Sequence, residues 1–397
     1  MDRLGKIFQD FEGPSIFINQ QILSPDFIPK ELPHREKEIL KLGAILVPSL
    51  KNLKCSNSCI YGKKGTGKTL VSRYVLGRLF EKSQELGKNL KVCYLNCKTT
   101  NTEYRIFSAM CSAIGVKVPF TGLATSEIID RFKEGLESLA GTFIGILDEI
   151  DSLSGKRGDE LLYQLTRIDE EIRKSSVILV LIWDTLDFKG MLSSSVLSSL
   201  SGEEILFEPY NKEQLYNILL QRVELAFKKG TIPETTLRLI ATAAHGNAQR
   251  AINLLQFSAQ IAERKGAKVI SKNNIKEAQR KIKCDRVKQV ISSLPIHSKI
   301  LLFALQLRKK EAIPKNIYTG NLYKLYLNYC HQLKINPLTQ RRVSQLIAEL
   351  KELGLISAER VSLGRYGRTK KLKLESSKEI IKEAFAKDPI FVRAFKK

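Results

Sequence analysis

The sequence predicts an α/β fold with a parallel sheet, followed by a helical domain and then by a basic C-terminal domain. Short apolar runs alternate with helical patterns up to about residue 208, helical spacing alone continues from Tyr210 to about Cys284, and positive charge is concentrated after Arg286. At 397 residues the chain is long enough for two or three domains. We expect a proline-punctuated arm, the sheet domain, a helical domain and the basic domain over residues 1–33, 34–208, 209–285 and 286–397.

Five β-type runs define the predicted sheet, and each is separated from the next by a helical pattern or a longer connection. They are NSCIYG, LKVCYLNC, TFIGILDE, SVILVLIWD and EEILFEP. Strands that are spaced by helices predict a parallel sheet with both of its faces covered.

Charge is distributed unevenly along the chain. The net charge is +24, and residues 286–397 hold 24 Lys and Arg against 8 Asp and Glu, a net of +16. Such asymmetry predicts that the C-terminal part meets a polyanion. No apolar run approaches the roughly 18 residues that span a bilayer, the N-terminus lacks a signal core, and the seven cysteines form no paired framework. We therefore expect a cytoplasmic chain with reduced thiols and no membrane partner.

A complete phosphate-loop signature, GKKGTGKT, follows the first β-type run and precedes a helical pattern. Its glycines allow backbone N–H groups to close around phosphate oxygens, its lysine supplies a cation to the β- and γ-phosphates, and its threonine offers a hydroxyl to Mg²⁺. The predicted nucleotide-binding residues are Gly62, Lys63, Lys64, Gly65, Thr66, Gly67, Lys68 and Thr69.

The segment FIGILDEID is an apolar strand that ends in acids, as expected for the second half of such a site. We predict that Asp148 joins Thr69 in holding Mg²⁺ and that Glu149 polarises the attacking water. Asp151 is expected to cap the following helix.

A helix near residues 340–353 carries an apolar stripe of Val343, Leu346, Ile347 and Leu350, with Thr339 as a plausible N-cap and Gly354 at its end. The opposite face is polar and basic, which is typical of a helix that enters a DNA groove. The candidate DNA-binding residues on this helix are Arg341, Arg342 and Gln345.

Two β-type arms follow, joined by LGRYGR, whose glycines permit a tight turn. Arginines at a thin tip suit a minor groove, where negative potential is concentrated. Tyr366 either stacks on a sugar or stiffens the turn, and both alternatives stay open. The candidate DNA-binding residues of this wing are Arg365, Tyr366, Arg368, Lys370 and Lys371.

Taken together, these motifs resemble those of the archaeal origin-recognition and cell-division-control initiator ATPases, an AAA+ family. The resemblance rests on LSPDFIPKELPHREKEI, GLATSEIIDRFKEGL, LLYQLTRIDE, INPLTQRRVSQLIAELKELGLI and VSLGRYGRTKKLKL, in that order along the chain. It implies an AAA+ phosphate-loop sheet, a helical lid and a winged-helix DNA-binding domain. It also implies ATP or ADP with Mg²⁺ as cofactors, and adds further nucleotide contacts at Pro33, His34, Arg35, Tyr210 and Arg250.

Three positions depart from the pattern of that family. Asp184 replaces an asparagine that orients water and is retained as a catalytic candidate, and Gln249 replaces the lid arginine of a Gly-Asp-x-Arg pattern. Arg250 is one residue further on, which turns it by about 100° around a helix. Ser195 stands where a neighbouring subunit is expected to supply an arginine finger. These departures predict ATP binding with slow hydrolysis.

The resemblance implies a replication initiator that recognises duplex origin DNA, with replicative helicase and paralogous initiator subunits as possible partners and a nucleoid-associated location. One alternative is a regulator that occupies origins without loading helicase. A second is a transcription regulator that combines a phosphate loop with a winged helix.

Overall fold

The computed structural model of the chain describes residues 15–119, 122–153, 155–185, 187–200, 202–306, 317–362, 368–386, 388 and 390–391. The chain forms two compact units, residues 1–275 and residues 276–397. Within the described part of the chain, every helix is too short or too polar to span a lipid bilayer.

A five-stranded parallel sheet lies at the centre of the first unit, with the strands in the order β2–β3–β4–β1–β5. All five predicted runs form strands and every pairing is parallel, so the predicted parallel sheet is confirmed. The strands are β1 (Ser58–Tyr61), β2 (Leu90–Asn96), β3 (Thr142–Asp148), β4 (Ser176–Trp183) and β5 (Glu203–Leu206).

Helices cover both faces of this sheet, which explains why its central strands are apolar along their whole length. In β4, Leu179 and Leu181 pack into one hydrophobic cluster, while Val180 and Ile182 pack into the cluster on the other face. Alternation with a period of two sends successive side chains to opposite faces. The helices are α1 (Glu36–Leu46), α2 (Lys68–Glu85), α3 (Glu103–Ala113), α4 (Thr125–Leu139), α5 (Lys156–Glu171) and α6 (Ser194–Ser199).

Three helices follow the sheet within the first unit: α7 (Lys212–Ala226), α8 (Glu234–Ala243) and α9 (Ala248–Arg264). Asn211 and Gln214 form a capping box that starts α7 by satisfying two otherwise unpaired backbone N–H groups. The buried Arg222 of α7 donates to the carbonyl oxygen of Ile22 at 2.8 Å, and its guanidinium lies over the Phe27 ring. This arginine therefore holds the N-terminal segment against the helical part of the unit.

The second unit contains a three-stranded antiparallel sheet in the order β6–β8–β7, packed against helices. Tyr326 is fully buried in its core. The strands are β6 (Ile317–Tyr318), β7 (Ile356–Ser362) and β8 (Arg368–Leu374). The helices are α11 (Ile296–Gln306), α12 (Thr319–Leu333), α13 (Gln340–Glu352) and α14 (Lys378–Phe385), after α10 (Lys272–Ser293), which contains the division between the units.

The predicted helix of the second unit is confirmed as α13. The Thr339 side chain accepts a hydrogen bond from the backbone N–H of Arg342, so it is the N-cap. All four residues of the predicted apolar stripe are buried. Gly354, at φ +68, follows the helix in a conformation that favours glycine.

Candidate functional site

The phosphate loop lies between β1 and α2, and two of its glycines are required by the backbone. Gly62 has φ +146, and a Cβ there would lie 2.3 Å from the carbonyl oxygen of Phe207. Gly65 has φ +79, and a Cβ there would lie 2.0 Å from the Asn247 side chain. Glycine is therefore required at both positions for the loop to pack against Phe207 and Asn247.

Lys68, the first residue of α2, is almost fully buried and points back across the loop. Its ammonium group donates to the carbonyl oxygen of Gly62 at 2.7 Å and to that of Lys63 at 3.1 Å. It also forms an ion pair with the Asp184 carboxylate at 2.7 Å. Lys68, the predicted cation of the phosphate site, is therefore paired directly with Asp184, which replaces the asparagine of the family pattern.

Asp148, at the end of β3, accepts hydrogen bonds from two hydroxyl groups on the same carboxylate oxygen. Thr69 donates to its Oδ2 at 2.7 Å and Tyr94, near the end of β2, donates to it at 2.8 Å. Burial and then the Asp148 charge raise the pKa of Tyr94, which keeps its hydroxyl proton available for this bond. The structure therefore brings together Thr69 and Asp148, the two predicted Mg²⁺ ligands.

Glu149 follows Asp148 in a left-handed conformation, with φ +53. Its carboxylate faces the ammonium group of Lys98 at 3.8 Å. Burial, followed by the charge of Asp148, raises the pKa of the neighbouring Cys97 thiol to about 12, so this cysteine stays protonated beside the acids.

The prediction that Asp151 caps the next helix is wrong. Asp151 lies in a 3₁₀ turn, Ile150–Leu153, and its Oδ2 accepts a hydrogen bond from the backbone N–H of Asp184 at 3.2 Å. Because β3 and β4 are parallel neighbours, their carboxyl ends meet, and Asp151 binds the end of β4 rather than the start of α5.

Arg35 forms a buried cluster behind the phosphate loop. Its Nε donates to the carbonyl oxygen of Thr66 and to the Tyr210 hydroxyl, both at 3.0 Å. Its Nη atoms bind the Glu38 carboxylate at 2.7 Å and the carbonyl oxygen of Glu208 at 2.6 Å. The guanidinium lies 4.0 Å from the centre of the Tyr210 ring. Burial raises the pKa of Tyr210, although Arg35 opposes the shift.

The start of α9 contacts the phosphate loop through Asn247, which donates to the carbonyl oxygen of Lys64 at 2.9 Å and caps α9. The next residue, Ala248, donates its N–H to the carbonyl oxygen of Gly65 at 2.9 Å. Gln249 lines the cavity, but its amide donates to Asn253 at 3.0 Å. Arg250 is exposed and does not line the cavity, so the one-residue displacement turns this predicted contact away.

These groups surround a cavity of about 370 Å³. Of the predicted residues, Gly62, Lys63, Thr66 and Arg250 do not line it, and neither does His34, which contacts Asn217 at 3.1 Å. Those that do line it are Pro33, Arg35, Lys64, Gly65, Gly67, Lys68, Thr69, Asp148, Glu149, Asp184 and Tyr210. The open glycine backbone, the buried lysine and the hydroxyl–carboxylate pair fit a nucleotide with Mg²⁺. Pro25, Phe27, Ile28 and Pro29 form an apolar side suited to a base.

Sequence reasoning missed several residues of this site. Tyr94 and Asn96 lie at the carboxyl end of β2, and the rule that ligands bind at the carboxyl ends of parallel strands could have identified them. Arg222 and Asn247 come from the helical segment. Asn247 stands at the Asp position of the Gly-Asp-x-Arg pattern, which could have identified it, whereas no local motif marks Arg222. Arg222 lines the cavity with its Nε unpaired, and burial lowers its pKa to about 10.

A second candidate surface lies in the second unit. Arg341, Arg342 and Gln345 are exposed on α13, where Arg342 donates to Gln345 at 2.9 Å and faces Glu349 at 3.6 Å. Lys370 and Lys371 lie on β8. Arg368 starts that strand, and the predicted tip residues Arg365 and Tyr366 lie outside the described residues.

The cleft between α12, α13 and the sheet has a volume of about 810 Å³. Gln340 and Ser344 line it from α13, and Lys324, Arg360 and Lys370 add three cations. Among the described residues that line it there is no carboxylate. Lys324 and Arg360 were not predicted, because Lys324 lies on α12 and Arg360 on β7, outside the predicted helix and the basic arm TKKLKL.

Comparison with known proteins relates each part of the chain to one family. Three family profiles match: "AAA domain" over residues 52–192, "Cdc6 AAA+ ATPase-type lid domain" over 216–280 and "CDC6, C terminal winged helix domain" over 289–384. Among curated proteins, an ORC1-type DNA replication protein of Thermococcus kodakarensis is 41% identical over 396 residues, 98% of this chain and 95% of that protein. The ORC1-type DNA replication protein 1 of Archaeoglobus fulgidus is 41% identical over 377 residues, 94% of this chain and 91% of that protein.

Among solved structures, that of the Aeropyrum pernix ORC1 protein in complex with DNA has a TM-score of 0.85 and 38% identity, covering 96% of this chain and 99% of the other. Sheet, lid and C-terminal domain together define an AAA+ ATPase-type protein with a winged helix, as the sequence analysis predicted. More particularly, this chain belongs to the family of ORC1-type DNA replication proteins, and the predicted resemblance is confirmed.

Proposed function

We propose that this chain initiates replication by binding duplex DNA through its winged-helix unit, with an adenine nucleotide in the AAA+ unit as a conformational switch. The observation that carries the proposal is that one chain combines a complete phosphate site with a basic cleft beside α13, whose described lining contains no carboxylate. Membership of a DNA replication family over nearly the full length supports it.

In the nucleotide site, we assign phosphate contacts to the loop backbone and to Lys68. Thr69 and Asp148, which are already hydrogen-bonded at 2.7 Å, are the assigned Mg²⁺ residues. Glu149 is the candidate base for water, and Asp184 lies at the edge of the same cavity. The contact of Asn247 with the loop links the helical lid to the phosphate loop, which gives a bound nucleotide a route to bias the lid position.

In the DNA site, we assign groove contacts to Arg341, Arg342 and Gln345, and contacts from the wing to Arg365, Tyr366, Arg368, Lys370 and Lys371. The Aeropyrum pernix relative, at 38% identity, has a structure in complex with DNA, which supports DNA binding by this chain. Lys324 and Arg360 extend the basic surface and suit contacts with the phosphate backbone. DNA binding would place the protein on the nucleoid, where a replicative helicase and paralogous initiator subunits are its proposed partners.

The second candidate function is a regulator that occupies origins without loading helicase. It is favoured by the ion pair between Asp184 and Lys68 and by the absence of lid charge at Gln249, both of which oppose efficient ATP turnover. A helicase-recruitment assay on protein-bound origin DNA separates the two functions, since only the first retains helicase on that DNA.

The proposal is tested by footprinting the pure protein on the replicon of its host, with and without Mg-ATP. We expect protection at an origin, with a footprint that changes when nucleotide is added. Protection confined to promoters would support a transcription regulator instead, and no sequence-specific protection would refute the initiator assignment.

A further inference from the structure

We propose that the Asp184 carboxylate acts as an internal counterpart of the terminal phosphate, so that this site binds ADP in preference to ATP. The inference rests on the proposed nucleotide binding and states which nucleotide the site prefers. It follows from the direct contact between Asp184 and the phosphate-loop lysine.

The contact is short and partly shielded from solvent. The Lys68 ammonium and the Asp184 carboxylate are 2.7 Å apart, and their side chains are only 6% and 32% exposed. Lysine in this loop signature is the group that meets the β- and γ-phosphates. A carboxylate already bound to this lysine competes with an incoming phosphate for the same cation. A partly shielded pair is also weakly screened by salt.

Asp184 is held in this position by its surroundings. Its backbone N–H is bound by Asp151, and the preceding Trp183 is buried in β4 against Tyr61 and Phe188. The carboxylate therefore starts from a strand end whose position the sheet and two aromatic contacts fix. Rotation away from Lys68 would involve the side chain alone.

Besides Lys68, four cations line the cavity, and three of them are engaged away from Asp184. Arg35 is bound to Glu38, Arg73 faces Asp26 at 3.8 Å and Arg222 donates to the carbonyl oxygen of Ile22, which leaves Lys64.

Asp148 and Glu149 line the same cavity, so a third carboxylate makes this end more acidic. Gln249 is neutral and is bonded to Asn253, and the exposed Arg250 does not line the cavity. A diphosphate carries less negative charge toward Asp184 than a triphosphate. Like charges at close range disfavour each other strongly in a shielded site.

The test measures the affinities of the nucleotide-free full-length chain for Mg-ADP and for the Mg complex of β,γ-imido-ATP, which resists hydrolysis. Isothermal titration calorimetry gives both dissociation constants. Trp183 is the single tryptophan of the chain and is adjacent to Asp184, so its fluorescence gives an independent readout. Three variants are compared with the wild type: Asp184→Asn, Asp184→Ser and the control Asp187→Asn, which removes the same charge from an exposed position outside the cavity.

We expect the wild type and Asp187→Asn to bind ADP about tenfold more tightly than the triphosphate analogue, a difference of about 1.4 kcal/mol. Asp184→Asn and Asp184→Ser should reduce that preference about tenfold, mainly by tightening triphosphate binding. The two substitutions differ in size, so agreement between them shows that the lost charge is the cause.

Two results would overturn the inference while leaving the nucleotide site intact. One is a wild-type preference for the triphosphate, and the other is a preference that neither Asp184 variant changes. If the wild type binds neither nucleotide, the proposed nucleotide function itself fails, and the inference fails with it.

Discussion

Arg35 joins three parts of the first unit, and its replacement by methionine should destabilise that unit. Methionine keeps an unbranched apolar chain but donates no hydrogen bond. The Thr66 and Glu208 carbonyl oxygens and the Glu38 carboxylate would all lose a donor. Each hydrogen bond to a charged group contributes about 1.5–3 kcal/mol, but the four contacts of one side chain are not additive.

The size of the effect is limited by the partial exposure of the partner. Glu38 is 16% exposed, so water can replace part of the lost interaction. Breaking a buried ion pair by removing one partner costs about 3–5 kcal/mol. We expect the lower part of this range, about 3 kcal/mol, which for a unit of this size lowers the melting temperature by roughly 6–12 °C.

Thermal unfolding followed by Trp183 fluorescence measures this effect in the correct unit, because the only tryptophan of the chain lies in β4. The matched control is Arg238→Met, which removes an exposed arginine that binds Glu213 and Glu234 on the surface. We expect this control to leave the transition unchanged. If Arg35→Met melts within about 2 °C of the wild type and of the control, the Arg35 cluster does not stabilise the fold as argued.

Three further predictions concern nucleotide and DNA. Lys68→Ala should abolish the rise in melting temperature that Mg-ADP produces in the wild type, because a ligand that binds only the native state stabilises it. Turnover of ATP should be slow in the wild type and little changed by Glu149→Gln, whereas Gln249→Arg combined with Asp184→Asn should increase it in a phosphate-release assay. Arg360→Ala should weaken duplex DNA binding and reduce the log–log salt slope by about 0.9 if it neutralises one phosphate.

Controls separate these effects from general damage. Lys88→Ala alters an exposed lysine beyond the end of α2 and outside the cavity, and it should retain the thermal shift. Lys382→Ala removes an exposed cation from α14, outside the basic cleft, and it should leave the salt slope nearly unchanged. Robust wild-type ATPase activity that Glu149→Gln abolishes would show that other residues supply the charge missing at Gln249 and Ser195.

Sequence alone was sufficient where the structure depends on neighbouring residues. The phosphate loop has glycines at the two positions whose backbone excludes a Cβ, and its pattern spans only eight residues. The α13 helix is recognisable from its N-cap, its apolar stripe and its final glycine, all within one short segment. Apolar runs of strand length sufficed for the five strands because both sheet faces are buried.

The partners of the site residues depended on the tertiary structure. Lys68 and Asp184 are 116 positions apart, and Arg35 and Tyr210 are 175 apart. Periodicity predicts which face of an element is buried, but not which side chain from a distant element it will meet. The expected helix-capping role of Asp151 was wrong for this reason. Asp151 binds the backbone N–H of Asp184 at the end of β4, which is distant in the chain but adjacent in the sheet. Motifs and periodicity therefore determined the elements and the residue types of the phosphate site. The parallel alignment of strand ends decided which charges face each other, and the packing of the lid decided which groups meet the loop.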